Sequence, residues 1–172
     1  MGQMGVGIST QPRSNALCNA GIAPVADMLK NGIKVGLGTD NGEGNFYENM
    51  RYLVLMQMGK NYSKHALTPL QGFQIATEGG AFGLGYTDVG CLKEGYSADF
   101  QILTGNAAIQ LTEKNVVAEV FWRKDPKDIK KVYVNGNLIC QDGHSVNLDD
   151  ERIRKDFSEC VREFWKGQPY QD

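Results

Sequence analysis

Histidine is scarce in this chain: only His65 and His144 occur among 172 residues, and neither belongs to an H-x-H or H-E-x-x-H pattern. Both fall in polar loops and are expected at the surface rather than on a metal. An excess of charge is also lacking, with 18 Lys and Arg against 20 Asp and Glu. A net charge of −2 gives no electrostatic basis for a nucleic-acid or anionic-membrane partner. No window approaches the run of about 18 apolar residues that a membrane-spanning helix needs. Met1-Gly2-Gln3-Met4 has no basic stretch leading into an apolar core, so no signal peptide and a cytoplasmic location are expected. Cys18, Cys91, Cys140 and Cys160 are too far apart for a C-x-x-C motif and are expected to be reduced, buried thiols. Without a secretion signal, the glycosylation pattern at Asn61-Tyr62-Ser63 is a chance match. There is no G-x-S-x-G, Walker loop or zinc-deaminase C-x-x-C. Gly36-Leu37-Gly38-Thr39-Asp40-Asn41 falls short of a dinucleotide loop because Asn41 stands where the third glycine belongs.

What is present is an ordinary globular composition, 41% hydrophobic and 22% charged, in a length suited to one domain or one and a fraction. Gly5–Thr10 reads as a short buried strand, Ala20–Asn31 as a helix stopped by Gly32, and Ile33–Gly38 as a second strand. That order predicts a parallel βαβ unit. A glycine-rich loop, Asn41–Asn45, leads to a helix over Phe46–Lys60. Thr68-Pro69-Leu70-Gln71 is a helix start with a capping box, and Leu70, Phe73, Ala76, Ala81 and Leu84 form its expected apolar stripe before Gly85.

Beyond Gly95 the texture becomes β-rich. Strands are predicted at Asp99–Leu103, Val116–Phe121 and Ile129–Asn135, and Asn135-Gly136 marks a hairpin into Leu138-Ile139-Cys140. A last helix begins near Asp149 and carries Ile153, Phe157, Cys160, Val161, Phe164 and Trp165 at helical spacing. The expected fold class is α/β, with an α/β segment over 1–90, β strands over 91–148, and a C-terminal helix and tail over 149–172.

Asp40 is the first candidate for chemistry. It closes a predicted parallel strand, the edge of such sheets where catalytic groups collect, and a carboxylate there can bind a metal or accept a proton. Turn chemistry accounts for the same residue, since Asp-Asn-Gly favours a tight turn. Ser14 and Asn15 follow the first strand in the same way and are candidates for holding a substrate; a helix cap is the other reading.

In order along the chain, several segments resemble amidohydrolases of the cytosine deaminase and chlorohydrolase type. Pro12-Arg13-Ser14-Asn15-Ala16-Leu17 with Gly21-Ile22-Ala23-Pro24-Val25 is similar to the seventh-strand region of that family. Val35-Gly36-Leu37-Gly38-Thr39-Asp40 resembles its eighth strand, and Glu48–Arg51 resembles its acidic-x-Met-Arg element. Ala76-Thr77-Glu78-Gly79-Gly80-Ala81, Leu84-Gly85, Asp88-Val89-Gly90 and Glu94-Gly95-Tyr96-Ser97-Ala98-Asp99 follow the family's next passage, and Val132–Gly136 its closing hairpin.

The resemblance implies a partial TIM barrel, its last two β/α units, followed by a portion of a small β-sandwich. It implies zinc or iron in the complete enzyme, held by four histidines of earlier strands and the aspartate matched by Asp40. It also implies a pocket for a heterocyclic small molecule, lined by Ser14 and Asn15, and hydrolysis of a C–N or C–Cl bond. A barrel needs roughly 250 residues and a catalytic zinc about three protein ligands, and this chain supplies neither. Asp40 is therefore a metal ligand only if a missing N-terminal half brings the histidines, and no metal is expected on this chain alone. The alternative is a non-catalytic remnant serving as an interaction or scaffold protein. Two strands cut from a closed sheet leave an open edge, so a homo-oligomer is expected in either case.

Overall fold

In the computed structural model, which describes residues 5–41, 44–105 and 108–166, strands β1 (Gly7–Thr10) and β2 (Lys34–Leu37) pair in parallel, with Ile8 beside Val35 and Thr10 beside Leu37. Helices α1 (Pro12–Leu17) and α2 (Val25–Lys30) lie between them in sequence. The predicted βαβ unit is therefore present, although α2 starts later than expected. Pro24 has ψ 58, outside the helical region, and Gly21 turns the chain at φ +87, so regular helix begins only at Val25. Gly32, at φ +71, ends it as anticipated. Met1–Met4, residues 42 and 43 of the glycine-rich loop, 106–107 and the tail 167–172 lie outside the described residues.

Helix α3 (Phe46–Lys60) forms where it was predicted, capped by the Asn45 side chain, which accepts from the Glu48 N–H at 3.1 Å. Met50, Leu53, Val54 and Gln57 recur at three- and four-residue spacing and turn inward, where the apolar ones pack with Val25, Val35 and Leu37. Gln57 is 1% exposed but fully used: its amide donates to the Ala23 carbonyl at 2.8 Å and its Oε1 accepts from the Ala26 N–H at 3.1 Å. It fastens the first turn of α2, whose own cap residue, Pro24, has no side-chain acceptor.

The next helical run comprises α4 (Pro69–Gln74), a π turn (Ile75–Gly79) and α5 (Gly80–Gly83). Thr68 and Gln71 make the expected capping box. The π turn widens the helix and rotates the buried face, so Gly72, Ile75 and Ala81 point inward. Leu70 and Leu84, expected on the apolar stripe, are 52% and 77% exposed. A Cβ on Gly79 would stand 2.0 Å from the Val35 carbonyl oxygen, and one on Gly36 would stand 3.1 Å from Gly80 Cα. Backbone lies on backbone here, which only glycine allows.

Val116–Phe121, predicted as a strand, is instead helical, part of α6 (Val116–Arg123). Five apolar residues around Glu119, three of them valine, do not distinguish a buried strand from a buried helix, and tertiary packing decides. Phe121 is fully buried against Gly72 and the neighbouring α3 residues. Arg51 of α3 closes the C-terminal end of α6: its Nε donates to the Phe121 carbonyl at 2.9 Å, one terminal nitrogen reaches the Lys124 carbonyl, and the other pairs with Asp125 at 2.9 Å. A guanidinium is well suited to that electronegative end.

Strands β3 (Phe100–Leu103), β4 (Ile129–Val134), β5 (Asn137–Gln141) and β6 (His144–Ser145) form an antiparallel sheet in sequence order. Asn135 and Gly136 take positive φ, 49° and 76°, as the hairpin signal requires. Asp99 holds this turn, accepting from the Asn135 N–H at 2.6 Å, while the Gly136 N–H donates to the Ala98 carbonyl at 3.0 Å. Tyr47 ties α3 to the sheet through its hydroxyl, which donates to Gln101 at 2.7 Å, and burial pushes the Tyr47 phenol above its ordinary pKa.

Helix α7 (Asp150–Phe164) starts at the sheet, where Asp150 accepts from the Ser145 N–H at 2.9 Å. Its predicted apolar stripe exists but faces outward, with Phe157 and Phe164 68% and 67% exposed. The cysteines also depart from expectation: Cys18, Cys91 and Cys160 are exposed and Cys140 is half-buried. Cys160 belongs to the uncovered α7 stripe, Cys18 caps the end of α1 and Cys91 lies in the loop between α5 and β3, so no packed layer covers them. His65 and His144 are exposed, as anticipated. Among the described residues no helix is long and apolar enough to cross a membrane.

Three stability measurements check this packing. Gly79→Ala is expected to lower unfolding stability by roughly 2–3 kcal/mol through overpacking, while Gly80→Ala, with nothing within 4 Å of its new methyl, should be neutral or stabilising by up to about 1 kcal/mol. Urea titration of both reads the contrast. Arg51→Ala should cost about 2–3 kcal/mol by leaving the end of α6 unsatisfied, and Arg51→Lys should recover less than half of it. Asp128 has its carboxyl pKa held below the ordinary value, chiefly by the hydrogen bond from the Asp125 backbone. Its contribution is therefore complete above the unfolded-state pKa and is lost as pH falls through the lower folded-state pKa. Asp128→Asn should flatten that acid limb in a thermal-melt series against pH.

Candidate functional site

The C-terminal ends of β1 and β2 lie side by side because the strands run parallel and in register. One further backbone bond, from the Gly38 N–H to the Thr10 carbonyl at 2.9 Å, carries the pairing past the last strand residues. Beyond it the two chains diverge. After Thr10 the chain enters α1, whose start suits Pro12, with its missing N–H and preset φ. After Gly38 it turns at Asp40, which adopts φ +54, a left-handed conformation that aspartate tolerates better than most side chains.

Ser14, the third residue of α1, is buried and donates its hydroxyl hydrogen bond to Asp40 Oδ2 at 2.6 Å. Two of the three residues singled out in the sequence, 26 positions apart, thus meet at the strand ends. The Asp40 side chain remains at the surface. Asn15 does not join them. It lines a cavity of about 10 Å³ beside Thr10, Pro12 and Gln57, room for at most one water.

Two further polar groups lie at this edge and were not singled out in the sequence. Gln11 Nε2 donates to Ser9 Oγ at 2.8 Å, and a Cβ on Gly38 would come within 3.2 Å of both atoms. The available signal was positional: Gln11, like Asp40, lies just past the end of a parallel strand, and Gly38 clears the space between. A wider groove of about 470 Å³ lies at the opposite, N-terminal end of β2, bordered by Lys34, Gln74, Glu78 and Tyr86, and it does not include Asp40.

The donor set does not make a metal site alone. Among the described residues there is no group of three or more His, Cys, Asp or Glu side chains placed to hold an ion. Asp40 offers a single carboxylate, and His144 stands at 3.5 Å from Asp150 at the start of α7. The arrangement can hold one exposed carboxylate in place at a strand end.

Residues 3–139 match the model of the amidohydrolase family. A 5-methylthioadenosine/S-adenosylhomocysteine deaminase of Shouchella clausii is 35% identical over 159 residues, covering 90% of this chain and 37% of that protein. Among solved structures, an adenosine deaminase from Xanthomonas campestris with bound zinc superposes with TM-score 0.86 at 18% identity, over 95% of this chain and 38% of that one. A zinc-complexed atrazine chlorohydrolase from Arthrobacter aurescens superposes with TM-score 0.80 at 23% identity, over 93% and 37%. The chain thus has the mixed α/β fold of these enzymes while spanning little more than a third of their length, and it belongs to the amidohydrolase family.

Proposed function

We propose that this chain is the part of a deaminase-type, metal-dependent amidohydrolase that contributes one carboxylate, Asp40, to a hydrolytic site it cannot complete alone. The observation that carries the reading is the Ser14–Asp40 pair at the C-terminal ends of two parallel strands, the edge at which such folds gather their chemistry. In this reading residues 1–90 correspond to the last two β/α units of a barrel, 91–148 to a portion of a β-sandwich and 149–172 to a terminal helix and tail. The remaining metal ligands, histidines for zinc or iron, come from polypeptide beyond these residues. The substrate class is a heterocyclic amine of nucleoside type, as the names of the relatives indicate for those proteins, and the bond cleaved is C–N. Ser14, bonded to Asp40, lies at the edge of that pocket, while Asn15 faces the small cavity beside Thr10 and Gln57.

A second reading, an oligomeric interaction or scaffold protein, is favoured by a different observation. The apolar stripe of α7 is uncovered, and among the described residues β1 and β2 pair with no other strand, leaving both outer edges of the sheet open.

Metal analysis and complementation separate the two. The chain alone is expected to bind zinc well below one equivalent. Mixed with the separately expressed portion of the Shouchella clausii deaminase that it does not match, it should take up close to one equivalent and release ammonia from 5-methylthioadenosine. Asp40→Asn should lower that rate by roughly 10²-fold or more. A folded, stable mixture that binds no zinc would overturn the enzymatic reading. A concentration-independent monomer by sedimentation would overturn the scaffold reading.

A further inference from the structure

We infer that Ser14 is a positioning residue: its hydroxyl holds the Asp40 carboxylate by one oxygen and leaves the other free for the reaction, instead of touching substrate. The inference rests on the proposed role of Asp40 and deepens it.

Four observations carry it. Ser14 is 8% exposed, so its hydroxyl has little surface to offer a ligand. The bond to Asp40 Oδ2 is 2.6 Å, the short distance of a hydroxyl donating to a charged oxygen. The usual alternative partner of a helical serine hydroxyl is the carbonyl four residues back, here that of Thr10, yet the Ser14 hydroxyl is bonded to Asp40 and not to it. The hydroxyl has one proton to give, and it goes to Asp40. Finally, Asp40 itself is in need of support. It sits exposed on a left-handed turn, where its side chain has no packing to fix a rotamer.

Ser14, by contrast, is carried on a helix that begins with buried Pro12 and packs against α3. The serine thus transfers the rigidity of the α/β layer to a carboxylate that would otherwise rotate freely. A fixed carboxylate with one oxygen committed presents a single defined acceptor, the kind of preorganisation that lowers the cost of a proton transfer.

The test uses the full chain, alone and in the complemented assembly described above. In the chain alone, a double-mutant cycle by urea unfolding over Ser14→Ala, Asp40→Ala and the double variant should be non-additive; additivity would show that the bond is not held and overturn the proposal. In the assembly, Ser14→Ala should lower kcat for deamination on the order of 10- to 100-fold, with KM within about twofold of wild type. Ser14→Thr, which keeps the hydroxyl, should restore most of the rate and covers the case in which Ser14→Ala folds poorly. A raised KM at unchanged kcat would make Ser14 a substrate contact, overturning the positioning role and leaving the deaminase reading intact. A folded, zinc-loaded wild-type assembly that releases no ammonia would overturn the deaminase reading and the positioning role with it.

Discussion

The contact on which the rest of this structure depends is made of backbone alone. Gly79 and Gly80 lie directly on Val35 and Gly36, so close that a single methyl on Gly79 would meet a carbonyl oxygen at 2.0 Å. The helical run is thereby set against β2 at a distance that no other residue type permits. The π turn over Ile75–Gly79 belongs to the same solution: it widens the helix where the strand passes, at the cost of regular hydrogen bonding. Because β2 ends at the turn bearing Asp40, the placement of the candidate site follows from this contact.

Around that contact the elements are joined by a few polar side chains of α3. Gln57 satisfies the start of α2, Arg51 the end of α6, and Tyr47 reaches the antiparallel sheet. Each reaches backbone groups or side chains that the partner element does not satisfy internally. Helix ends leave such groups open, and burying them unpaired would cost more than the bonds return. One helix thus acts as a common support for segments that are far apart in sequence. The same economy is absent at α7, which among the described residues is fastened at its first turn and leaves its apolar stripe in solvent.

Much of this was legible in the residues. Strand–helix–strand order, the Thr68 capping box and the Asn135-Gly136 hairpin are local signals whose physics lies within a few residues of chain, and each formed as predicted. The helix at Val116–Arg123 was not legible, because its β-branched residues favour a strand until Gly72 and Arg51 provide a place for Phe121 and a cap for the helix end. Exposed cysteines and the exposed Leu70 and Leu84 were missed for a related reason. An apolar or thiol side chain states a preference for burial, but burial requires a layer to cover it.

By itself the sequence determined the family, the isolation of Asp40 from any histidine pair and most element types, the helix at Val116–Arg123 excepted, since composition and spacing are properties of the chain alone. Only the tertiary structure decided that Ser14 spends its hydroxyl on Asp40 and that Asn15 turns to a small cavity instead. Residues 26 apart meet because two strands run parallel and in register, and register is set by long-range packing that no local pattern encodes.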